Sequence, residues 1–286
     1  MTGLKRREAD SLAYYVTASV LALAFPIPLF YIAFRSFLPA TADAKGIGPQ
    51  SILDLTLSNY QTIFRPEVGL WQYVANSMTV AIATAALVSV AATFAGYAIS
   101  HVKFRFSGIA FLLVLAPLFV PFQGLLTPLS LVLAQIHLLN SLAGVVLVIS
   151  TFQLPFAVFV MRNSFEAVPQ ELREAAAIDG AGLFGILFKV MLPLTWPGVV
   201  TIALFAFMAG WNDLLTSVVF LSDQSKYTLP IVLTSIPTTL SFGVAASYID
   251  PGLLTATACI ATAPVVVLFI IFQKYYAQGL IGGSLK

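Results

Sequence analysis

Charged side chains are scarce in this sequence. Only 9% of its 286 residues are Asp, Glu, Lys or Arg, whereas 59% are hydrophobic and the mean hydropathy is +0.94. A soluble domain carries about a quarter charged residues, so the composition predicts a protein that spans a membrane several times. Fourteen basic residues against twelve acidic ones leave a formal charge of +2, which is too small a bias to favour a nucleic acid or an acidic partner.

Cysteine and histidine are also rare. The single cysteine, Cys259, excludes an intrachain disulfide and a cysteine-based metal cluster, and its apolar neighbours favour a small core thiol. His101 and His137 lie far apart without a ligand set, so neither predicts a metal site. The apolar segments hold no Ser/His pair and no paired carboxylate, which argues against an intramembrane enzyme. Asp213 is the only acidic residue well inside one of them, too little for a transporter driven by an ion gradient.

Six apolar segments are long enough to cross a bilayer, which takes about 20 residues. Continuous runs of this length do not fit the alternating pattern of a membrane barrel, so the predicted fold class is all-α, a polytopic membrane protein. The segments cover about residues 12–34, 76–100, 109–134, 142–162, 196–220 and 253–273. The first is longer than the roughly 7 to 15 apolar residues of a secretory signal, so we expect it to be retained. Residues 1–286 are expected to form a single transmembrane domain.

Basic residues are distributed unevenly between the two sets of loops. If the amino terminus is cytoplasmic, ten of the fourteen Lys and Arg residues fall inside and four fall outside. This bias follows the positive-inside rule, so both termini and the loop at residues 163–195 are predicted to be cytoplasmic. Segments 35–75 and 221–252 then lie outside, where their aromatic residues suit the membrane interface or a contact with an external partner.

Proline and small residues distinguish the individual segments. Proline removes a backbone donor and bends a helix, and the third segment contains three, at Pro117, Pro121 and Pro128. Either these are kinks tolerated in a packed bundle, or the helix is curved or broken beside a translocation path. The second segment is rich in alanine and glycine, including Ala81 and Gly96, and such residues favour close helix packing.

The loop at 163–195 interrupts the apolar pattern with a charged helix. Pro169 suits a first helical turn, residues Gln170 to Ile178 are good helix formers, and Gly180 can adopt the left-handed conformation that ends a helix. A second helical stretch, Leu183 to Met191, then leads into the fifth segment. The sequence therefore predicts a short helix, a tight turn and a return to the membrane.

One narrow stripe of the first helix carries little side-chain bulk. Helical spacing places four residues on it: Leu172, Ala175, Ala176 and Asp179. Glu174 lies beside the stripe and could pair with a basic residue of a partner. Such a surface would let a partner approach closely, although periodicity alone is equally consistent with an ordinary amphipathic helix at the membrane interface.

The order of residues in this loop resembles the Glu-Ala-Ala signature of permease subunits of ATP-binding-cassette (ABC) importers. The matching positions are Glu174-Ala175-Ala176, Asp179, Gly180, Ala181, Val190 and Leu192-Pro193. Nearly the whole chain is similar to the second permease of maltose-type carbohydrate importers, at Asn76-Ser77, Trp211-Asn212-Asp213, Pro264, Gly279 and Gly282-Gly283. It departs from that family at Leu187, where an aromatic residue is common, and at Lys286, beyond which a glycine is often found.

The resemblance implies a type I importer in the bacterial inner membrane. Its other parts would be a second homologous permease, two cytoplasmic ATPase subunits that bind ATP and Mg²⁺, and an extracytoplasmic solute-binding protein, while this chain would bind no cofactor and catalyse nothing. The charged helix would be the coupling helix, docking on an ATPase through Glu174, Ala175, Ala176, Asp179, Gly180 and Ala181. A weaker contact of the tail is implied at Gly282, Gly283 and Leu285. The implied cargo is a carbohydrate, and amino acids, polyamines or phosphonates remain open through sister branches.

Polar residues at membrane depth are candidates for a substrate path. They are Asn76, Gln123, Trp211, Asn212 and Asp213. A charge inside a membrane costs about 3 kcal/mol on insertion scales, so Asp213 should face a polar cavity or a partner. With Trp211 and Asn212 it offers the acceptors, donors and aromatic plane that a sugar needs. Two plainer interpretations stay open: Asp213 caps a helix end, and the amides form hydrogen bonds between helices.

Overall fold

A computed structural model describes residues 14–39, 53–65, 69–101, 106–239 and 251–282, with the backbone alone for 235–239 and 274–282. Throughout this described part the regular elements are helices, which confirms the predicted all-α fold class. In chain order they are α1 (Tyr14–Ser36, with a turn at residues 25 and 26), α2 (Ser58–Ile63), α3 (Leu70–His101), α4 (Ser107–Leu115), α5 (Phe122–Gln135), α6 (Leu142–Glu166), α7 (Gln170–Ile178), α8 (Leu183–Leu194), α9 (Trp196–Trp211), α10 (Leu215–Phe220), α11 (Leu229–Thr239) and α12 (Pro251–Gly282). Short 3-10 helices occupy Ala116–Phe119 and Gln224–Lys226, and Leu187–Met191 within α8 is π-helical.

Among the described residues, four helices are long and apolar enough to cross a membrane by themselves, namely α1, α3, α6 and α12. The pairs α4–α5 and α8–α9 would each add one span if a bent pair counts as one crossing, which gives up to six. Of the two interpretations left open for the third segment, the structure supports a broken helix, because α4 and α5 meet at an angle of 101°. Pro117 and Pro121 lie at this bend, where the helix narrows to a 3-10 turn and then stops.

The prediction of one continuous fifth helix over 196–220 is wrong. Helix α9 ends at Trp211, and α10 begins at Leu215. The carboxylate of Asp213 accepts hydrogen bonds from the backbone N–H of Thr216 at 3.3 Å and of Ser217 at 2.9 Å. These are two of the orphan donors at the start of α10, so the acidic side chain stabilises a new helix end here.

The described chain divides into two compact units. The larger comprises Leu70–Thr234 with the part of α12 from Pro264 onwards. Its centre is α3, which packs along both α6 and α9, and Ala81 and Ala92 are fully buried there. A Cβ added to Gly96 would lie 2.8 Å from the Cβ of Met161, and one added to Gly210 would lie 2.9 Å from the Cα of Ala81. Small residues therefore let these helices touch at backbone distance, as the composition of the second segment predicts.

The smaller unit comprises the described residues up to Gly69 and those between Ser235 and Ala263. The side-chain amide of Asn59 donates to the carbonyls of Ser36 and Leu38, each at 2.8 Å, and so joins α2 to the end of α1. A Cβ on Gly252 would lie 2.6 Å from the same amide nitrogen, so α12 begins in close contact with Asn59. The division reflects packing density, and the prediction of one transmembrane domain stays a prediction.

The close contact at Gly96 predicts that one added methyl group lowers the stability of the protein measurably. We expect Gly96→Ala to destabilise the protein by about 1–3 kcal/mol, because the added Cβ overlaps Met161 and the backbone N of Arg162. Gly124→Ala is the matched control, since a Cβ there would meet no atom within 4 Å and alanine favours a helix. Thermal unfolding in detergent should show a lower Tm for the first variant only. Equal Tm values for the two variants would contradict the packing described here.

Candidate functional site

Helix α7 and the turn after it adopt the conformation that the sequence predicts. Pro169 precedes the first helical residue, Gln170, and therefore lies one position earlier than the first turn expected for it. Gly180 has a φ of +82°, in the left-handed region. The N–H of Ala181 donates to the carbonyl of Ala176 at 3.0 Å, and the N–H of Gly180 donates to that of Ala177 at 3.1 Å. This pair of bonds is the Schellman motif, so Gly180 ends α7 and turns the chain into α8.

The α7–α8 hairpin, residues 170–194, has an inner and an outer side. Ala176 and Ala181 are half-buried and pack against a core cluster that contains Phe165, Ile186 and Met191. Glu174, Ala175 and Asp179 are exposed. The predicted stripe is therefore divided, because Ala175 faces outward whereas Ala176 faces the core.

Large apolar side chains surround the Gly180 turn on the outer side. Ile178 is 86% exposed, and Leu183, Phe184 and Phe188 are exposed by more than half. Sequence reasoning missed these residues because it treated them as ordinary members of helices. The sequence could have indicated their exposure, since these apolar residues flank a charged turn that lies outside the apolar segments.

Hydrogen bonds and ring contacts hold the hairpin to the helices beneath it. The hydroxyl of Tyr97 on α3 donates to the backbone carbonyl of Leu183 at 3.2 Å. Its ring stacks on His101 with centroids 5.3 Å apart and meets Phe165 edge-on at 5.6 Å. On the hairpin itself, the amide of Gln170 donates to the carboxylate of Glu174, so the acidic side chain is oriented along α7.

The return from the hairpin into α9 is sharply bent. Leu187–Met191 forms a π-helical turn whose first and last residues are buried in the core cluster. The hydroxyl of Thr195 donates to the carbonyl of Met191 at 2.9 Å, and α8 and α9 meet at 78°. Pro193 and Pro197 cannot donate backbone hydrogen bonds here, which accounts for the break.

A second feature is a pocket of about 260 Å³ within the larger unit. Its apolar lining is Phe122, Ile149, Phe152 and Ala209, and its polar lining is Gln153, Asp213 and Thr216. The Asp213 carboxylate also accepts a bond from the Ser217 hydroxyl at 2.9 Å, in addition to its two backbone donors. The Thr216 hydroxyl is buried and has no hydrogen-bond partner among the described residues. The pocket therefore combines polar side chains with two aromatic rings, Phe122 and Phe152, which meet edge-on with centroids 4.7 Å apart.

Of the residues predicted for a substrate path, only Asp213 lines this pocket. The amide of Asn76 donates to the backbone carbonyls of Ser225 at 3.0 Å and Tyr227 at 2.9 Å, which fits the plainer interpretation of structural hydrogen bonding. Asn212 donates to the carbonyl of Met208 in its own helix, Trp211 is buried beside Phe207, and Gln123 is exposed. Sequence reasoning missed Gln153 and Thr216, which carry no distinctive spacing in the sequence.

The predicted tail contact lies at the carboxyl-terminal end of the described residues. Gly282 is the last residue of α12, and nothing is described of its neighbours' side chains. Gly283 and Leu285 lie outside the described residues. Their predicted role therefore stays a prediction.

Comparison with known proteins adds independent information. Residues 89–282 match the family described as binding-protein-dependent transport system inner membrane component. The arabinooligosaccharides transport system permease protein AraQ of Halalkalibacterium halodurans is 33% identical over 289 residues, 99% of this chain and 100% of that protein. The sulfoquinovosyl glycerol transport system permease protein SmoH of Agrobacterium fabrum is 30% identical over 275 residues, 95% and 93% of the two chains.

A solved structure shares the fold. It belongs to a bacterial ABC transporter involved in the import of the acidic polysaccharide alginate, with a TM-score of 0.78 and 24% identity. The alignment covers 94% of this chain and 97% of that one.

The Schellman turn predicts different effects for two neighbouring glycines. A Cβ on Gly180 or Gly182 would meet no atom within 4 Å, but only Gly180 has a positive φ. We expect Gly180→Ala to cost about 1–2 kcal/mol locally, from the left-handed backbone alone, and Gly182→Ala to cost little. Hydrogen exchange at the Ala181 amide should be about tenfold faster in the first variant. Unchanged protection there would contradict the assigned turn.

Proposed function

The chain belongs to the family of binding-protein-dependent transport system inner membrane components, and on that premise we propose that it is the permease subunit of an ATP-driven importer that passes a carbohydrate into the cytoplasm. Partner ATPases would bind and hydrolyse ATP with Mg²⁺, and this chain would supply the path without catalysing a reaction. The carbohydrate class is supported by AraQ and SmoH, which are named for the transport of arabinooligosaccharides and sulfoquinovosyl glycerol.

The observation that carries the ATP-driven part of the proposal is the two-sided α7–α8 hairpin. Its inner side is fixed to the core through Ala176, Ala181 and the Tyr97 hydrogen bond. Its outer side presents Ile178 and Phe184 together with Glu174. Exposed apolar side chains around a polar turn are typical of a surface that binds another protein.

The apolar and acidic groups of this surface would contribute differently. Burying an exposed isoleucine or phenylalanine stabilises a contact by about 1.5–3 kcal/mol. An exposed ion pair of Glu174 would add about 0–1 kcal/mol. We therefore assign affinity for the ATPase mainly to Ile178, Leu183 and Phe184, and orientation to Glu174, with Ala175 allowing a close approach.

Docking at the hairpin would couple ATP binding to the membrane helices. When the two ATPases close on ATP, the hairpins of the two permeases would be drawn together. Because the hairpin is packed into the core cluster, it would move with α3 and α6 rather than bend away from them. The helices would then change from an inward-facing to an outward-facing arrangement, and a binding protein would deliver the solute on the outer side.

The sidedness of this scheme rests on the basic residues. Their excess on one set of loops supports an orientation with the hairpin and both termini in the cytoplasm and the loop at Gln224–Lys226 outside. The chain would thus be a multi-pass protein of the bacterial inner membrane. A second, homologous permease, which the family resemblance implies, would complete the path.

The pocket near Asp213 is the proposed contact with the solute. Sugars are bound by hydrogen-bonding side chains together with aromatic faces, and Gln153, Phe122 and Phe152 provide both. Asp213 already accepts three hydrogen bonds from its own chain, so it would mainly shape the pocket. This engagement also weakens the alternative of an ion-driven transporter, for which Asp213 was the one candidate group. A non-sugar solute remains the second candidate, because an amide beside aromatic rings does not select sugars alone.

The cognate binding protein would test the carbohydrate class directly. We expect a panel of mono- and oligosaccharides to include a ligand that raises its Tm, and uptake of that ligand to require this chain, its partner permease and ATP. Stabilisation only by amino acids, polyamines or phosphonates would contradict the carbohydrate class and leave the importer assignment intact. Transport by this chain alone with an ion gradient would contradict the importer assignment.

An acidic residue at the tip of the hairpin should block docking. We expect Ile178→Glu to reduce copurification of the ATPase by about tenfold or more, because the contact loses apolar area and gains a charge that must be desolvated. Leu139→Glu is the matched control, since it introduces the same charge at an exposed leucine of the α5–α6 turn, outside the hairpin. Equal recovery of ATPase with both variants would contradict the assignment of the surface.

Removal of the free amide in the pocket should weaken solute recognition. We expect Gln153→Ala to raise the KM for uptake about three- to tenfold, the magnitude of one neutral hydrogen bond, with assembly unchanged. Gln123→Ala is the control, because Gln123 is exposed and does not line the pocket. A KM change in the control alone would favour the path first predicted from the sequence.

A further inference from the structure

Helix α3 is the one predicted span without a proline. The other five segments contain proline at positions that include Pro26, Pro117, Pro155, Pro197 and Pro264. Helix α3 instead runs unbroken from Leu70 to His101, 32 residues, which corresponds to a length of about 48 Å. An uninterrupted helix resists compression and bending better than one that lacks backbone hydrogen bonds at a proline.

One end of α3 is attached to the α7–α8 hairpin. The Tyr97 hydroxyl donates to the backbone carbonyl of Leu183, the first residue of α8, at 3.2 Å. Tyr97 is only 6% exposed, and its ring is held by His101 and Phe165. The hydroxyl is thus presented by a fixed ring to a backbone atom three residues beyond Gly180.

The other end of α3 is attached to residues 225–229. The Ser77 hydroxyl accepts a hydrogen bond from the backbone N–H of Leu229 at 2.8 Å, and Ser77 is fully buried. Gln72 donates to the carbonyl of Ser225 at 2.8 Å, next to the two bonds donated by Asn76. Twenty residues separate Ser77 from Tyr97, so the two attachments lie about 30 Å apart along the helix.

The 221–228 loop, which connects α10 to α11, is held equally firmly on its second side. The side-chain oxygen of Asn140 accepts from the backbone N–H groups of Ser222 and Asp223, each at 3.1 Å, and Lys226 donates to the Asn140 carbonyl at 2.9 Å. Hydrogen bonds from Ser225 lower the pKa of the Asp223 carboxyl, so the carboxylate stays ionised near Lys226. This loop is therefore an ordered element that can be displaced as a unit.

We propose that α3 acts as a strut that carries displacement of the α7–α8 hairpin to the 221–228 loop and to Leu229, the first residue of α11, with Tyr97 and Ser77 as the positioning residues at its two ends. The proposal rests on the proposed function, in which the ATPase moves the hairpin. Both attachments reach backbone atoms at the start of a helix, Leu183 of α8 and Leu229 of α11, so they transmit a shift of the chain itself. The packing of α3 along α6 and α9 would make the three helices move together.

The strut is tested in the assembled transporter in nanodiscs, with the liganded binding protein added. We expect Tyr97→Phe and Ser77→Ala each to leave basal ATPase activity within about twofold of wild type. Stimulation of the ATPase by the binding protein should fall about threefold or more, the order expected from one neutral hydrogen bond. Ser77→Thr keeps an accepting hydroxyl and should restore stimulation.

The controls remove the same chemical groups from α3 at two side chains that do not form the proposed attachments. Tyr73→Phe removes a hydroxyl near the far end of the helix, and Thr79→Val removes one that bonds only to Ala75 in its own helix. Both should retain full stimulation. Equal loss in the controls would contradict the strut.

A double variant shows whether Tyr97 and Ser77 act in one path or affect ATPase stimulation independently. If Tyr97 and Ser77 belong to one path, Tyr97→Phe with Ser77→Ala should reduce stimulation no further than the stronger single variant. Additive losses, or full stimulation in Tyr97→Phe, would contradict the strut while wild-type uptake upholds the importer assignment. Absence of ATP-dependent uptake in the wild-type assembly would contradict the proposed function and the strut with it.

Discussion

The structure depends on one constraint, that a lipid core offers the backbone no hydrogen-bond partner. Where a helix is interrupted, the chain must satisfy the freed groups itself, and two of the interruptions in the larger unit do so with a side chain. Between α9 and α10 the Asp213 carboxylate accepts from Thr216 and Ser217. Between α8 and α9 the Thr195 hydroxyl returns to the Met191 carbonyl. Polar side chains at these breaks therefore form hydrogen bonds within the chain. Only the donors and acceptors that these bonds do not use are available to a solute.

This constraint explains how much of the fold could be predicted. Long apolar runs determine helices, so the all-α class followed from the sequence, whereas the prolines of the third segment left a kink and a break as alternatives. The break after Trp211 was missed, because no proline marks it. It depends on Asp213, whose capping of α10 was recognised only as one of two interpretations. Helix ends made by a side chain that folds back onto the backbone are ambiguous in sequence, since the same residue types also line cavities.

In the candidate site the backbone conformation could be predicted from the sequence, whereas the direction of the side chains could not. The left-handed turn at Gly180 was predictable, because few residues other than glycine adopt that conformation readily and it follows a run of helix formers. Which alanine faces the core was not, since Ala175 and Ala176 are identical in character and only tertiary packing separates them. Asn76 and Gln123 were grouped with Asp213 by polarity, yet Asn76 holds a loop and Gln123 is exposed. Polarity at membrane depth predicts that a side chain has a partner, not whether the partner is a solute.

In the larger unit the bent helix pairs line the pocket, whereas the unbroken helix α3 does not, and this difference fits alternating access. The bent pairs α4–α5 and α8–α9 include Phe122 and Ala209, which line the pocket, so a change of angle at either bend would reshape the pocket. Helix α3 contributes no residue to the pocket lining and is unbroken. A path that opens alternately on two sides needs lining helices that change their bend. It also needs an element that transmits displacement from one side of the membrane to the other. Bends distributed over every helix would absorb a displacement of the hairpin before it reached the far side. One unbroken helix attached at both ends avoids that loss.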